Sequence, residues 1–243
     1  MKEIESIANL SWPAIEEITC DNWLLRASGG YTRRSNCAAP LSEVCINDLD
    51  AVLPSIIHWF RNRKLPPTIK ICTTLDNSKE FEERLTVAGF FKTAPSCMMT
   101  RSNLQESIPS PQVRVTHEPD DTWLQAFLHW NGLFDKREQI QALLACVSQS
   151  RAYFSSVGTE TLASLALGII TNNHFGIFDF VVNPAFRRNG QGRSLLSSML
   201  AWAAHNGAHA AFLQVLSENH AAQSLYAQFG FAVAFDYSYF LCE

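Results

Sequence analysis

The feature that most constrains the fold is a short loop between a buried-looking strand and an amphipathic helix in the second half of the chain. The loop covers residues 182–193, VNPAFRRNGQGR. The helix that follows repeats apolar residues at the helical period, and its start presents unpaired backbone N–H groups and partial positive charge. Gly190 and Gly192 allow the backbone to approach a bulky anion because no Cβ stands in the way. The loop is therefore predicted to bind a pyrophosphate group.

Charge placement supports an anion site at this loop. Beyond Glu138 the chain contains four Lys or Arg residues, and three of them, Arg187, Arg188 and Arg193, lie in the loop or the helix start. Arginines donate charge-assisted hydrogen bonds to phosphate oxygens. The alternative is an ordinary strand-to-helix turn with surface arginines. The glycine spacing fits neither the GxGxxG pattern of dinucleotide-binding loops nor the GxxxxGK[ST] pattern of P-loops.

Composition argues against several other classes of protein. A hydrophobic fraction of 47% and a charged fraction of 17% are typical of a folded soluble protein. The net charge of −4 argues against electrostatic capture of nucleic acid, and no apolar run approaches the roughly 20 residues that span a bilayer. The N-terminus lacks the apolar stretch of a signal peptide, and the seven cysteines form no CxxC pair. We therefore expect a cytoplasmic protein with reduced thiols, no bound metal, and no nucleic-acid or membrane partner.

Helical and strand patterns alternate along the chain, which predicts an α/β (α+β) fold. The predicted helices cover residues 3–18, 49–63, 78–88, 120–130, 135–148, 192–206 and 219–229. The predicted strands cover residues 23–26, 68–72, 90–93, 97–100, 113–115, 152–157, 161–170, 174–182 and 210–216, with a closing strand pair over 231–241. Turn residues at 158–159 and 172–173 predict two hairpins.

Two prolines within residues 107–111 mark the best linker candidate, because proline lacks a backbone N–H and restricts the residue before it. We therefore predict an N-terminal α/β domain over residues 1–106 and a second domain over residues 112–243. Both halves end in a helix, a Gly-Phe pair and a strand pattern, which hints at duplication.

Two motifs in the second half together resemble one family. The segment RRNGQG at 187–192 fits the signature [QR]-x-x-G-x-[GA], and VNP before it fits the V-x-P that leads into that signature. Downstream, residues 214–219 (QVLSEN) and 222–231 (AQSLYAQFGF) are similar to the block V-x-x-x-N…A-x-x-L-Y-x-x-x-G-F. These are motifs of the GCN5-related N-acetyltransferases, the GNAT superfamily. The resemblance implies a mixed central sheet flanked by helices.

The first half resembles the N-terminal part of some two-part members of that superfamily. Residues 23–36, WLLRASGGYTRRSN, are similar to the stretch W-x-L-R-x-x-x-G-x-T-R-R-x-N. This half contains no [QR]-x-x-G-x-[GA] loop, which implies a degenerate GNAT-like region that completes the acceptor cleft. An anionic or polar substrate group would then bind there, and the alternative is a glycine turn with solvated arginines. The residues in question are Arg26, Tyr31, Arg33, Arg34 and Asn36.

The resemblance implies acetyl-CoA as cosubstrate, lying in a V-shaped gap between the strands 174–182 and 210–216. Backbone groups of the first strand would pair with the pantetheine arm, and backbone N–H groups of the loop would hold the pyrophosphate. Asn219 would contact the arm, cap its helix, or do both. The implied cofactor-binding residues are Phe180, Val181, Val182, Arg187, Arg188, Asn189, Gly190, Gln191, Gly192, Arg193 and Asn219.

The resemblance also implies catalytic roles. Tyr226 stands where the family often places the general acid that returns a proton to the CoA thiolate, and its alternative role is a core aromatic. Gln214 stands where some relatives carry a glutamate base, and a neutral amide does not accept that proton. Asp179, His174 or ordered water remain as the base. On a regular strand Asp179 and His174 point to opposite faces, and we favour Asp179, as base or as anchor of the substrate amine.

The sequence thus predicts an N-acetyltransferase that moves an acetyl group from acetyl-CoA to a primary amine of a small molecule or peptide. The alternative is a GNAT-fold sensor that binds acyl-CoA without turnover, which the glutamine at position 214 keeps open. The acceptor and the oligomeric state are not fixed by the sequence, and a homodimer is open.

Overall fold

A computed structural model of the chain describes residues 2–41, 44–104, 108–158 and 161–243. The helices in these ranges are α1 (Lys2–Ser11), α2 (Ile46–Arg61), α3 (Ser78–Val87), α4 (Asp121–Asn131), α5 (Arg137–Ala145), α6 (Gln191–His205) and α7 (His220–Gln228). The strands are β1 (Glu16–Cys20), β2 (Trp23–Ala27), β3 (Ala38–Pro40), β4 (Thr68–Cys72), β5 (Phe91–Ser102), β6 (Val113–Thr116), β7 (Ser150–Val157), β8 (Leu162–Thr171), β9 (His174–Val182), β10 (Ala210–Leu216) and β11 (Ala232–Leu241). The predicted α/β fold, a mixed sheet flanked by helices, is confirmed.

The strands form one continuous sheet in the order β1-β2-β3-β4-β11-β5-β10-β9-β8-β7-β6. Only the pairs β3–β4 and β9–β10 are parallel among the strands described. Strand β11 from the second half lies between β4 and β5 of the first half, and β5 in turn lies between β11 and β10. The sheet is thus continuous across the proposed linker, of which Ser107 lies outside the described residues. The division into domains at this point stays a prediction.

The two halves repeat one topology. The order β3-α2-β4-α3-β5 in the first half matches β9-α6-β10-α7-β11 in the second, and each series begins with a parallel strand pair joined through a helix. The last strand of each series is inserted beside the last strand of the other. This arrangement agrees with the duplication suggested by the Gly-Phe pairs. The identity of the first half as a degenerate GNAT-like region stays a prediction.

Helix α6 forms because its apolar residues fall on one face. Five of them are buried against β7, β8 and β9, and burial of each large apolar side chain stabilises the fold by about 1.5–3 kcal/mol. Gly207, at φ +83°, follows the helix in the left-handed conformation that stops it. The buried residues are Leu195, Leu196, Met199, Leu200 and Ala203.

The helix predicted over residues 3–18 is present but ends seven residues earlier than predicted. Helix α1 ends at Ser11, and Pro13 follows, which lacks the backbone N–H needed to continue and disfavours helical geometry at Trp12. Residues 16–20 instead form β1, which pairs with β2 across a turn at Asp21 and Asn22. Both turn residues have positive φ, at 43° and 67°, as a tight two-residue hairpin requires.

Three smaller predictions also differ from the structure. The strands predicted over 90–93 and 97–100 are one strand, β5, which continues through a bulge at Ala94 with φ +46°. The closing strand pair is the single strand β11, because the chain runs on between β4 and β5 without turning back. The helix predicted over 135–148 begins as a short 3-10 turn, Phe134–Lys136, and its α-helical part is α5. The turn at 158–159 is described only at Gly158, since Thr159 lies outside the described residues.

A buried arginine ties α1 to the loop that follows β2. Arg26 is only 2% exposed, and its guanidinium donates to the side-chain oxygen of Asn9 at 3.0 Å and to the carbonyl oxygen of Arg34 at 2.8 Å. The same group donates to the carbonyl oxygen of Trp12 and pairs with Glu17 at 2.9 Å. The sequence made Arg26 a candidate for substrate contact. In the structure, its hydrogen bonds instead hold α1 and the loop after β2 together.

We expect Arg26→Gln to lower the free energy of unfolding by about 2 kcal/mol, because buried carbonyl oxygens lose their charged donor. Chemical denaturation with a common m-value measures the loss. Arg137→Gln is the matched control: this arginine pairs with Asp121 on the surface at 3.5 Å, and its removal should cost less than about 0.5 kcal/mol. Equal stability of the Arg26 variant and the wild type would contradict this role.

Candidate functional site

A cavity of about 880 Å³ lies where the paired strands β9 and β10 separate. Their parallel pairing runs from His174 and Ala210 to Ile177 and Leu213 and stops there, although both strands continue. The remaining ends of the two strands therefore border a V-shaped gap. The starts of α6 and α7, the loop around Arg34 and aromatic residues of α4 complete the cavity walls.

A bulge in β9 produces this separation. Asp179 has φ +50°, and the register against β8 shifts by one residue between Phe178 and Val181. A non-glycine residue in the left-handed region is strained and persists only where packing holds it. Here Phe178 is stacked on Trp12 with ring centroids 4.9 Å apart. Because of the bulge, the regular alternation of side chains assumed for β9 does not hold.

His174 lies away from the cavity. It stands at the start of β9, and its Nδ1 is 2.8 Å from the carbonyl oxygen of Asn172 in the preceding turn. The cavity lining does not include it. The geometry therefore gives His174 no access to the gap.

The glycine loop places the start of α6 at the mouth of the gap. Gly190 caps the helix with φ +77°, and a Cβ added to it would have no neighbour within 4 Å, so its outer side is open. Gly192 is tightly packed instead: an added Cβ would lie 3.2 Å from Leu225 and 3.5 Å from Val182. One glycine thus permits the turn, and the other permits close approach of the helix to β9. The first N–H groups of α6, which have no acceptor within the helix, lie at the cavity.

The side chains of the loop leave this backbone accessible. Gln191 turns inward and accepts a hydrogen bond from Ser156 at 3.0 Å. Arg193 donates to Gln228 and stacks over Phe229 at 5.5 Å, while Arg187 donates to the carbonyl oxygen of Val182 at 3.3 Å. These arginines place positive charge around the helix start, where an anion gains from both charge and backbone donors.

The structure brings nearly all the predicted cofactor-binding residues together in one cavity lining. Asn189 is the exception: it is exposed and does not line the cavity. Asn219 lines the cavity and also caps α7 by accepting a hydrogen bond from the backbone N–H of Ala222 at 3.1 Å, so its two predicted roles are compatible. The lining includes Phe180, Val181, Val182, Arg187, Arg188, Gly190, Gln191, Gly192, Arg193 and Asn219.

Tyr226, on α7, lies in the wall of the cavity. It is 6% exposed, and its ring meets Phe180 edge-on at 5.9 Å and Phe231 at 6.0 Å. Burial raises the pKa of the Tyr226 phenol above its ordinary value of 10. The hydroxyl therefore keeps its proton at neutral pH.

Asp179 faces two residues of the first half across the cavity. Its carboxylate accepts a hydrogen bond from the Tyr31 hydroxyl at 3.3 Å and pairs with Arg34 at 3.5 Å. Burial raises the pKa of Asp179 above its usual value, and Arg34 and the Tyr31 hydrogen bond offset part of that rise. Arg34 also rests on the ring of Trp12 at 4.9 Å.

Sequence reasoning named Arg34 and Tyr31 as candidates but did not pair them with Asp179, which lies more than 140 residues further along the chain. Two aromatic residues of α4, Phe127 and Trp130, line the same cavity and also pack in or against the hydrophobic core. The ring of Phe127 meets that of Tyr31 edge-on at 6.3 Å, a contact between distant parts of the chain that a single sequence does not reveal.

Two further findings concern other kinds of site. Within the ranges that the structure describes, no group of three or more His, Cys, Asp or Glu residues is arranged to hold a metal ion. The described helices also include none that is long and apolar enough to cross a membrane. The seven cysteines form no disulfide with one another.

Comparisons with known proteins identify a family and two curated relatives. The family described as "Probable histone acetyltransferase Rv0428c C-terminal" matches residues 1–240. The uncharacterized N-acetyltransferase YobR of Bacillus subtilis (strain 168) is 28% identical over 251 aligned residues, covering 98% of this chain and 97% of that protein. The probable histone acetyltransferase Rv0428c of Mycobacterium tuberculosis is 24% identical over 227 residues, covering 88% of this chain and 66% of that protein.

A solved structure supports the fold assignment. A GCN5-related N-acetyltransferase from Kribbella flavida superposes with a TM-score of 0.73 at 11% identity, covering 99% of this chain and 95% of that one. The predicted GNAT fold is thereby confirmed. Since one family of acetyltransferases spans nearly the whole sequence, the chain belongs to the Rv0428c C-terminal family of GNAT acetyltransferases.

Proposed function

We propose that this protein transfers an acetyl group from acetyl-CoA to a primary amine of a small molecule or peptide. The observation that carries the proposal is the V-shaped gap between β9 and β10, which ends at the open N-terminus of α6. The exposed edge of β9 suits the amides of an extended pantetheine arm, which would lie beside it as an added strand. The helix start, with Gly190 and three arginines, suits the diphosphate.

Each proton that moves during the proposed reaction has a defined donor and acceptor. The amine nitrogen loses a proton and attacks the thioester carbonyl, so that a C–N bond forms and the C–S bond breaks with its electron pair on sulfur. Tyr226 donates a proton to this sulfur and regains one afterwards. Starting from an ammonium group, two protons leave the nitrogen: the CoA thiol receives the equivalent of one through Tyr226, and the other is released to solvent.

Asp179 is the proposed contact for the amine, as base or as anchor of its ammonium form. It is a carboxylate of the cavity lining, and the bulge directs it toward Tyr31 and Arg34 of the first half. Because burial raises the pKa of Asp179, its charged form is lost already at a higher pH than for an exposed aspartate. Activity that depends on the carboxylate should therefore decline as pH falls through this raised pKa.

Asp179→Asn should lower kcat/KM for the amine by about 30-fold, because the amide neither accepts a proton nor pairs with an ammonium group. Steady-state kinetics distinguish the roles: loss of a base lowers kcat, and loss of an anchor raises KM. Asp121→Asn, at the exposed start of α4, is the control and should leave both constants unaltered. Wild-type kcat and KM in the Asp179 variant would remove this residue from the site.

The proposed function is tested by release of CoA thiol from acetyl-CoA in the presence of a panel of primary amines, with the acetylated product identified by mass spectrometry. We expect amine-dependent release above the rate of hydrolysis. Tight binding of acetyl-CoA without turnover of any amine would contradict an enzyme and favour the sensor.

A further inference from the structure

A second cavity, of about 520 Å³, adjoins the first on the side of the N-terminal strands. Its lining includes Tyr237 and Tyr239 of β11, while residues 30–34 and the segment before β4 form other parts of its wall. The two cavities share residues of this loop and the last three residues of β10, Gln214 to Leu216. They therefore meet beside the strand that borders the proposed acetyl-CoA gap.

The charged side chains that line the second cavity are all positive. Among the described residues, its lining contains Arg33 and Arg34 and no carboxylate. Arg33 is exposed and pairs with no acidic side chain in the described parts of the chain. Arg34 makes one long contact with Asp179, at 3.5 Å, so most of the five N–H donors of its guanidinium remain available. Arg33 thus has no acidic partner among the described residues and Arg34 is only partly neutralised by Asp179, so this concave site favours an anionic group.

The loop that carries these arginines is held in place before any ligand binds. The side-chain oxygen of Asn36 accepts hydrogen bonds from the backbone N–H groups of Ser28 at 2.8 Å and Gly30 at 2.9 Å. Thr32 accepts from the backbone N–H of Arg34 at 3.1 Å. Because the backbone of this loop is already fixed, binding an anion there requires little further ordering of the loop itself.

Opposite charges thus stand on the two sides of the meeting point, with Asp179 in the first cavity and Arg33 in the second. We propose that the acceptor is a small primary amine that also carries a carboxylate, its amine directed to Asp179 and its carboxylate held by Arg33 and Arg34 in the second cavity. This inference rests on the proposed acetyl transfer and names the substrate class of that site. A lysine-rich peptide would place further positive charge against these arginines.

The test compares ω-amino carboxylates of increasing chain length with n-alkylamines of the same length, and includes ω-aminoalkyl phosphates and a lysine-rich peptide. For at least one chain length, we expect kcat/KM for the amino carboxylate to exceed that of its alkylamine partner by about 10-fold or more, as one charged hydrogen-bonded contact would provide. Equal values for both series would overturn the inference while leaving amine acetylation intact. A clear preference for the phosphates or for the peptide would overturn it as well.

Arg33→Gln isolates the second cavity. We expect it to reduce the preference for the amino carboxylate over the alkylamine by about 10-fold, while Arg61→Gln, on the exposed end of α2, keeps the wild-type preference. A preference unaltered by Arg33→Gln would overturn the assignment. The ratio of two substrates is compared within one variant, so a general loss of folding would not change it.

Calorimetry separates this inference from the proposed function. The amino carboxylate should bind the protein saturated with CoA, and Arg33→Gln should weaken that binding by about 10-fold, whether or not turnover occurs. Absence of turnover with such binding would contradict only the acetyl transfer. Absence of binding in the presence of active turnover of alkylamines would contradict only the anionic acceptor.

Discussion

Gly190→Val is expected to weaken binding of acetyl-CoA by about 100-fold. Gly190 has φ +77°, a conformation that β-branched residues strongly avoid, so the substitution would shift the backbone that carries the donors of the helix start. The added side chain would also enter the open space on the cavity side of the loop, where we place the diphosphate. Isothermal titration calorimetry with acetyl-CoA measures the effect.

Gly207→Val is a closely matched control for this substitution. Gly207 lies at the other end of α6, with φ +83° and with no atom within 4 Å of an added Cβ. The two variants should therefore lose similar stability through backbone strain, of the order of 1–3 kcal/mol. Only the Gly190 variant should lose affinity for acetyl-CoA. Affinities that fall equally in both, or in neither, would contradict the phosphate-binding role of the loop.

Tyr226→Phe is expected to lower kcat by about 100-fold or more, with a much smaller change in KM, because it removes the proton donor to the CoA sulfur. The ring would keep its contacts with Phe180 and Phe231, so the cavity wall should remain in place. Presteady-state and steady-state measurements of CoA release give the two constants.

Tyr153→Phe controls for the loss of a buried hydroxyl. Tyr153 is 1% exposed, its hydroxyl has no hydrogen-bond partner among the residues that the structure describes, and it does not line the cavity. Its replacement should leave kcat unaltered and should not lower stability, since no hydrogen bond is lost. An unaltered rate in the Tyr226 variant would remove this tyrosine from the mechanism and leave the proton to come from solvent.

The site was largely predictable where it depends on local sequence. The strand, loop and helix around Gly190 are consecutive in the chain, and their turn and capping requirements are recorded in residue types. The same holds for Asn219, whose capping role follows from its place before α7. Pro13 is also a local signal that α1 ends. The helical periodicity of the residues around it favoured a longer helix instead.

The rest depended on contacts between distant residues. The insertion of β11 between β4 and β5 joins segments more than 130 residues apart, and no local pattern specifies such pairing. The bulge at Asp179 is also hidden, because its positive φ occurs at an aspartate rather than at a glycine. Its consequence, the contact of Asp179 with Arg34 and Tyr31, arises only when both halves fold into one sheet.

A crystal structure of the protein with acetyl-CoA tests the central claim most directly. We expect the diphosphate oxygens within about 2.7–3.2 Å of backbone nitrogens between Arg188 and Arg193, with the pantetheine arm between β9 and β10. Acetyl-CoA bound elsewhere on the protein, with this helix start free of phosphate, would contradict it.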